Sequence, residues 1–475
     1  MVKHSKTGDL IKNTAIIAAG KFSTQFLIFL LLPLYTSHLS THNYGIVDLI
    51  VTYTSLFVPV VTLQQEFAVF RYLIDARGNQ EKIREVLSSG LLTTARVLAI
   101  STLLYVGLSL FIDFPFKLLI LPNIICVALS NYFLQVARGL GRNTLYSIAC
   151  VIAGVTTVLV NIVLILGMGV GAESILISSI VANIACIMFL FATLKLHRLI
   201  SPKSAPRATQ KELVKYGVPL IFSGISWWII SVSDRSLIAA FVSVSASGIY
   251  AVATNFSSIL NSIFYIFNLS WTESVSMHIE DSDWDDFLNS VFDAVWRLFF
   301  ALGTGIVACL PFVFSFFVKE GFAEARNYIP LLVLGALLNS VAGFYIAIYV
   351  AKKEPGVIMK TSVAAAIINV LGNFVLIGLF GAYGAAISTI LAFAYLFISR
   401  HFDISKKQIS LKINPVLILS MFSVFSFVCL SYYINTPALN IATLVFVVVY
   451  AVLMNRNVVK IIKILRPRKI AEGAR

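Results

Sequence analysis

The chain has 475 residues, of which 59% are hydrophobic and 12% are charged. Soluble domains have about 45–50% apolar and about 25% charged residues, so this composition excludes a soluble globule and indicates a protein with many membrane-spanning helices. The formal net charge of +14 is compatible with nucleic-acid binding, but the positions of the basic residues, given below, argue against that class.

Apolar runs long enough to cross a bilayer occur along the whole chain. A helix needs about 20 apolar residues to span the hydrocarbon core, and it satisfies its backbone hydrogen bonds internally, as lipid requires. The runs predict an all-α polytopic membrane protein with about fourteen transmembrane helices. The first run is too long for the apolar part of a cleavable signal peptide, so we expect it to be a span. The predicted spans are residues 11–37, 44–64, 86–112, 116–138, 145–167, 172–195, 216–241, 248–272, 287–318, 328–350, 357–380, 382–399, 414–433 and 438–455.

The basic residues are concentrated in alternate loops between these spans. With the N-terminus placed in the cytoplasm, the cytoplasmic segments contain 29 of the 36 Lys and Arg residues, and the opposite side contains Lys117, Lys319 and Arg326. Cytoplasmic loops of membrane proteins are enriched in Lys and Arg, so both termini are predicted to be cytoplasmic. The same distribution attributes the net charge to topology and to contact with anionic lipids.

The two halves of the chain resemble each other at a nearly constant offset. Gly45 aligns with Gly248 at an offset of 203 residues, and Arg96 aligns with Arg297 at an offset of 201. We expect each glycine to open a span after a short turn, where a flexible backbone is useful. Both halves begin in the cytoplasm, so the repeat is parallel. The predicted domains are an N-lobe of six spans (1–199), a cytoplasmic linker (200–212), a C-lobe of six spans (213–403), and a C-terminal helix pair with a basic tail (404–475).

Several charged side chains fall inside the predicted spans. A charge at the centre of a span costs about 2.5–3.5 kcal/mol on insertion scales, so it needs a partner or a wet cavity. We expect Arg96 and Arg297 to lie near the middle of the membrane without a carboxylate partner, which favours a place in a polar cavity. Asp234 and Glu273 are interpreted as groups that either pair locally or meet lipid headgroups, or that face the cavity. Cations without matching buried acids indicate an anionic cargo.

Polar residues form stripes along the second and eighth spans. They recur every three or four residues, which places them on one side of a helix. Such a stripe lines a cavity or binds neighbouring helices together, and both alternatives stay open. The candidate substrate-binding residues are Lys21, Gln25, Arg96, Arg235, Tyr250, Asn261, Tyr265 and Arg297.

No motif for catalysis or metal binding is evident. The chain contains no GxxxxGK[ST], HExxH or GxSxG pattern, so no enzyme activity, catalytic residue, metal or organic cofactor is predicted. The five cysteines lie singly in apolar runs without CxxC spacing. They are predicted to be small buried hydrophobic residues.

Four segments together resemble a known family. The stretch Val363–Ala392 has an asparagine-containing helix, a short turn with glycine, and Gly-Ala-Ala at the start of the next span. With Asp234–Arg235, Gly248–Tyr250 and the basic stretch Phe70–Glu85, it resembles the bacterial polysaccharide-transport flippases that move O-antigen and related repeat units. The resemblance covers nearly the whole chain. That family belongs to the multidrug/oligosaccharidyl-lipid/polysaccharide (MOP) flippase superfamily, which also contains multidrug antiporters and the lipid II flippase.

The resemblance implies a function and a cellular location. It implies alternating access in the bacterial inner membrane, with two six-helix lobes around a cationic cavity. The implied cargo is an undecaprenyl-pyrophosphate-linked oligosaccharide for O-antigen, capsule or exopolysaccharide, moved from the cytoplasmic to the periplasmic leaflet. The implied coupling is to H⁺, Na⁺ or the membrane potential, with Asp48, Asp234 and Glu273 as the candidate ion-coupling residues. The implied partners are the lipid-linked oligosaccharide, membrane lipids, and the polysaccharide polymerase and assembly machinery, with no nucleic acid.

Three other functions make different predictions. A multidrug or cation antiporter of the same superfamily predicts buried acids facing the cavity, whereas the deepest charges here are predicted to be basic. A lipid II flippase has a cargo of similar charge, and only the overall resemblance ranks it lower. A membrane enzyme, such as a polymerase or acyltransferase, predicts a long polar outer loop, whereas every outer loop predicted here is short.

Overall fold

The computed structural model describes residues 20, 24, 26–279, 283–352, 354–407, 409 and 411–456. Within these residues every regular element is a helix, which confirms the all-α prediction. A π-helical turn, Val163–Gly167, extends α6. The α-helices are α1 (Leu32–His38), α2 (Thr41–Val61), α3 (Gln65–Asp75), α4 (Gln80–Phe111), α5 (Lys117–Gly139), α6 (Asn143–Ile162), α7 (Glu173–Thr193), α8 (Arg207–Phe241), α9 (Val244–His278), α10 (Trp284–Phe317), α11 (Ala325–Ala351), α12 (Pro355–Phe380), α13 (Ala382–Lys406), α14 (Pro415–Ile434) and α15 (Pro437–Met454).

Twelve of the described helices are long and apolar enough to cross a membrane, namely α2, α4–α7 and α9–α15. The chain is therefore a multi-pass membrane protein. Most of the first predicted span lies outside the described residues, although its end contains a shorter apolar helix, Phe26–His38. The seventh predicted span lies within α8, which has 35 residues but is not among the twelve.

A short polar break separates α4 from α5, where the sequence predicts the least marked boundary. The only acid in this break, Asp113, accepts a hydrogen bond from Lys117 Nζ at 2.8 Å. This hydrogen bond and the positive charge of the lysine hold the pKa of Asp113 below its usual range. The ion pair is exposed, so it contributes little to stability, and it marks the end of one span and the start of the next.

Contacts divide the chain into two compact units. Unit 1 comprises the described residues of Met1–Asn255 with Phe317–Ala325 and Ser362–Ala392, and unit 2 comprises those of Phe256–Phe316, Arg326–Thr361 and Phe393–Arg475. The helices α9, α12 and α13 each contribute to both units, so the units do not follow the limits of the two predicted lobes. The division into six-helix lobes stays a prediction.

The two units have cores of different character. In unit 1, α3–α7 pack around buried aliphatic and small residues, among them Leu73, Val136 and Ala149. In unit 2, aromatic rings from α9, α10 and α11 pack together, and the rings of Trp271 and Phe344 stack with centroids 4.6 Å apart. Aromatic contacts of this kind add to the stabilisation from buried area alone.

The helix limits reproduce the 203-residue offset of the repeat. The segment of α2 and α3 runs from Thr41 to Asp75, and adding 203 to each number gives the two ends of α9, Val244 and His278. The first copy differs in being broken between α2 and α3, whereas the second copy is one continuous helix.

The aligned glycines Gly45 and Gly248 lie inside helices and contact each other. A Cβ atom on Gly45 would lie 2.2 Å from the carbonyl oxygen of Val244, and one on Gly248 would lie 2.3 Å from that of Thr41. The expectation of a flexible turn is therefore wrong for both residues. Both positions require a residue without a side chain, because the backbones of α2 and α9 touch where their first turns cross.

We expect Gly45→Ala and Gly248→Ala each to destabilise the protein, because the added methyl group would push the two helices apart. Overpacking of this kind costs about 1–3 kcal/mol. Thermal unfolding of the purified protein in detergent measures the effect. Gly107→Ala in α4 is the matched control, since a Cβ atom there would meet nothing within 4 Å. Equal melting temperatures for Gly45→Ala and Gly107→Ala would contradict the close crossing.

Candidate functional site

Two adjacent charged residues of α8 have different partners within unit 1. Arg235 binds Asp48 of α2, and its Nη1 atom lies 2.8 Å from Oδ1 and 3.0 Å from Oδ2 of the carboxylate. The two side chains are 18% and 14% exposed, so the pair is largely shielded from solvent. Thr52, one turn along α2, accepts a further hydrogen bond from Arg235 through its hydroxyl group and one from Trp228 through its carbonyl oxygen. The polar stripe of the second span is therefore in part a helix-packing surface.

Asp234 lies in a cage of neutral hydrogen-bond donors. The residue is 6% exposed, and its carboxylate accepts hydrogen bonds from three helices: from Tyr250 of α9 at 3.2 Å, from Asn373 of α12 at 2.7 Å and from Thr389 of α13 at 2.6 Å. Asn369 supports the cage, since its amide group donates to Thr389 and accepts from Asn373. Among the described residues no Lys or Arg side chain forms an ion pair with Asp234. The site is a buried carboxylate surrounded by uncharged polar groups.

The segment that resembles the flippase signature builds most of this cage. Asn369 and Asn373 lie one helical turn apart on α12, so they share a face. Gly381 has φ +58°, which allows the tight turn between α12 and α13. A Cβ atom on Gly384 would lie 2.0 Å from the carbonyl oxygen of Leu376, so α13 returns in close contact with α12 and brings Thr389 next to the asparagines.

Asn369, Asn373 and Thr389 lie in the segment that resembles the flippase family but are not among the predicted site residues. The signal was available: two asparagines one turn apart in an otherwise apolar helix are costly in lipid and need a polar partner. The first half contains a related pair, since Asn161 donates to Ser178 at 2.6 Å. No described carboxylate forms an ion pair or a hydrogen bond with that pair, so the two halves differ at this point.

Arg96, in the middle of α4, contacts the first turn of α8. Its Nη1 atom donates to the amide oxygen of Gln210 in the first turn of α8, at 2.7 Å. With 32 residues, α4 is about 48 Å long, longer than the hydrocarbon core of about 30 Å, so residues counted from its start do not measure depth. Arg96 is level with the beginning of α8 and its side chain is exposed.

Arg297 of unit 2 has a carboxylate partner, and the expectation that it lacks one is wrong. Its Nε atom lies 2.7 Å from Oδ2 of Asp293, four residues earlier on α10. Its Nη1 atom also contacts the sulfur of Met454, the last residue of α15, at 3.6 Å. This contact places Arg297 level with the end of α15.

The remaining candidates have separate environments. In unit 2, Asn261 accepts a hydrogen bond from Asn339 at 3.2 Å, whereas Tyr265 is 40% exposed. The stripe of the eighth span thus combines helix contacts with an exposed side chain. Lys21 and Gln25 lie outside the described residues, and the side chain of Glu273 is not described.

Among the described residues of unit 1, the most buried charged side chains are acids. Glu66 is 4% exposed and Asp234 is 6% exposed, whereas Arg235 and Arg96 are more accessible. The prediction that the deepest charges are basic is therefore wrong for this unit. Buried acids are what a cation antiporter predicts, so the charges of this unit do not disfavour that function.

Comparison with known proteins assigns a family. Residues 10–271, more than half of the chain, match the family of polysaccharide biosynthesis proteins. No curated protein matches the chain in sequence.

Solved structures show the same fold at low sequence identity. The lipid II flippase MurJ in an inward closed conformation has 13% identity and a TM-score of 0.68, with 94% of this chain and 100% of that chain covered. An inward-facing multidrug resistance MATE transporter has 14% identity and a TM-score of 0.68, with 82% and 98% covered. A MOP superfamily transporter from Pyrococcus furiosus has 13% identity and a TM-score of 0.56, with 83% and 96% covered. The chain therefore belongs to the polysaccharide biosynthesis protein family, and it has the membrane fold of the flippases and transporters of the MOP superfamily.

Proposed function

We propose that this protein is a flippase for an undecaprenyl-pyrophosphate-linked oligosaccharide, which it moves from the cytoplasmic to the periplasmic leaflet of a bacterial inner membrane. Membership of the polysaccharide biosynthesis family supports the sugar-linked cargo. The proposal that the cargo is anionic rests on the environment of Arg96. This arginine of a membrane-spanning helix is exposed and is held by the neutral amide of Gln210.

A guanidinium group held in this way keeps its charge available. Arginine has five N–H donors in a planar fork that matches two phosphate oxygens at once, and the hydrogen bond to Gln210 uses one of them. Arg235 and Arg297 differ, because Asp48 and Asp293 neutralise them. We therefore assign the leading contact with the pyrophosphate to Arg96, and we retain Lys21 as a second candidate.

We expect Arg96→Ala to lower the rate of flipping about tenfold or more, because hydrogen bonds to charged groups contribute about 1.5–3 kcal/mol and 1.4 kcal/mol corresponds to a factor of ten. Arg96→Lys should retain part of the activity, since it keeps the charge and loses the planar fork. The measurement uses proteoliposomes and a fluorescent undecaprenyl-pyrophosphate oligosaccharide, and it follows the fraction of lipid accessible from outside. Arg71→Ala is the matched control, because Arg71 forms an exposed ion pair with Asp75 on α3.

Two further substrates separate the related functions. Flipping of a lipid-linked disaccharide pentapeptide at the same rate would favour a lipid II flippase. Efflux of organic cations without lipid flipping would favour a cation antiporter. Normal flipping by Arg96→Ala would contradict the assignment of Arg96 to the cargo.

Asp234 is the proposed coupling residue, with H⁺ or Na⁺ as the coupling ion. An ionisable group inside a span is a candidate for ion binding when no opposite charge neutralises it. Asp48 fits less well, because Arg235 already neutralises it. Among the described residues, Oδ1 of Asn373 has no hydrogen-bond partner, and the two ends of an amide group are nearly alike in shape. A rotated Asn373 would therefore present an oxygen atom to a cation held by Asp234. Glu273 stays a further candidate.

A further inference from the structure

The break between α2 and α3 is an unusual piece of backbone. Leu63 and Gln64 have φ angles of +51° and +53°, in the left-handed region that residues with a side chain rarely adopt. Neither residue is a glycine, and the break packs against α8. A Cβ atom on Gly217 would lie 2.2 Å from the carbonyl oxygen of Leu63. A strained, tightly packed break of this kind is often part of a functional site.

The break buries a carboxyl group, that of Glu66 in the first turn of α3. The residue is 4% exposed, and among the described residues its Oε2 atom has no hydrogen-bond partner. The nearby hydroxyl group of Thr62 already donates to the carbonyl oxygen of Val58 at 2.9 Å. Two local donors remain for the carboxyl group, the single proton that the Thr62 hydroxyl group shares with Val58 and the backbone N–H of Glu66 itself, and neither carries a charge.

Among the described residues, the helices around Glu66 place no charged side chain in an ion pair with it. Tyr132 of α5 faces it, and the hydroxyl group of Tyr132 is used by the carbonyl oxygen of Leu87 at 2.7 Å. The neighbouring part of α4 contributes Gly90, which packs against Tyr132, and the facing part of α8 contributes Gly217. No Lys or Arg of the described residues forms an ion pair with Glu66.

The polar groups of the break do not converge on a metal ion. Gln64 and Gln65 also have buried amide oxygens without partners in the described part of the chain. Their side chains point to different places on α8. The amide nitrogen of Gln64 lies next to Gly224, and that of Gln65 lies next to Gly217, about two helical turns earlier. Glu66 therefore has one free carboxyl oxygen and no set of oxygen ligands around it.

We propose that Glu66 is a proton-binding site, at which the carboxyl group carries a proton in this conformation and releases it when the break between α2 and α3 opens. A bare carboxylate in an apolar interior is very unfavourable when it has neither a cation nor enough donors. A single free oxygen with no ligand set around it suits a proton better than a metal ion. The site is distinct from the Asp234 cage and does not depend on the nature of the cargo.

The repeat supports a link between the acid and the break. At the offset of 203 residues, Glu66 corresponds to Leu269, in the uninterrupted part of α9. The acid and the break therefore occur together in the first copy and are both missing from the second. When the break opens, the buried acid can exchange its proton with water. The continuous helix α9 has a leucine at the equivalent position and so has no proton to exchange.

The experiment is labelling with dicyclohexylcarbodiimide, an apolar reagent that reacts with protonated carboxyl groups. The purified full-length protein is treated at neutral pH in detergent, and peptide mass spectrometry locates the adducts. We expect an adduct on Glu66, which decreases at alkaline pH and persists in high Na⁺. The exposed acid Glu81 at the start of α4 should stay unmodified and serves as the internal control.

The variant Glu66→Gln supplies a second measurement. Glutamine has the shape and the donor capacity of a protonated glutamic acid, so we expect it to melt within a few degrees of the wild type. Infrared spectra should lose the carbonyl band of one protonated carboxyl group. An unmodified Glu66, protection by Na⁺, or a large loss of stability in Glu66→Gln would overturn the proposal. Neither readout requires transport, so this result and a failure of the flippase assignment are distinguishable.

Discussion

Replacing either partner of the Asp48–Arg235 ion pair should destabilise the protein by about 3–5 kcal/mol, because each single change leaves an uncompensated charge in a shielded site. Asp48→Asn leaves the guanidinium group of Arg235 without its carboxylate, and Arg235→Gln leaves the carboxylate with Thr52 as a nearby polar group. We expect the melting temperature and the yield of folded protein to fall in both variants.

The double variant Asp48→Asn/Arg235→Gln tests whether the two effects have one cause. It removes both charges and keeps groups that can hydrogen bond, so we expect it to recover most of the lost stability. Removing the exposed Arg71–Asp75 pair in the same way should change stability by less than about 1 kcal/mol. A double variant no more stable than the single variants would show that the pair is not an interacting unit.

Asp234→Asn should abolish the dependence of flipping on an ion gradient. Asparagine fills the same space in the cage but cannot hold a proton or a cation by charge. We expect gradient-driven flipping in proteoliposomes to fall about tenfold or more, which corresponds to about 1.4 kcal/mol or more. Flipping without a gradient should change less.

Thermal unfolding identifies the coupling ion. A ligand that binds only the folded state raises its stability by RT ln(1 + [L]/Kd). If Na⁺ occupies the cage, Na⁺ raises the melting temperature of the wild type and leaves that of Asp234→Asn unchanged. If the ion is a proton, Na⁺ has no effect on either protein. Asp113→Asn, on the exposed loop between α4 and α5, is the control. Unchanged gradient dependence in Asp234→Asn would rule out the coupling assignment.

The fold could be read from the sequence because lipid leaves few alternatives to apolar helices. The last predicted span, 438–455, differs from α15 by one residue at each end, since α15 covers Pro437–Met454. Depth in the membrane cannot be read from an apolar run when a helix such as α4 is longer than the hydrocarbon core. The sequence does not predict the helix break at Leu63 and Gln64, since neither residue is a glycine or a proline.

The candidate site was predicted residue by residue, without its pairings. Asp48 and Arg235 were both nominated, but they are 187 residues apart, and their contact depends on how α2 crosses α8. Asp234 was nominated without its partners Asn373 and Thr389, which lie on two further helices. The pairing of Asp293 with Arg297 is different in kind, because a spacing of four residues on one helix is readable from sequence.

The contact between Gly45 and Gly248 also bears on how the two copies of the repeat can change. A side chain added to either glycine would meet the backbone of the other copy, so neither position can take a larger residue without moving the helices apart. The contact has the form of one at the centre of a symmetric dimer interface, where a residue meets its own equivalent. The crossing of α2 and α9 thus keeps the two copies alike at their first turns, although they differ further along at the break between α2 and α3.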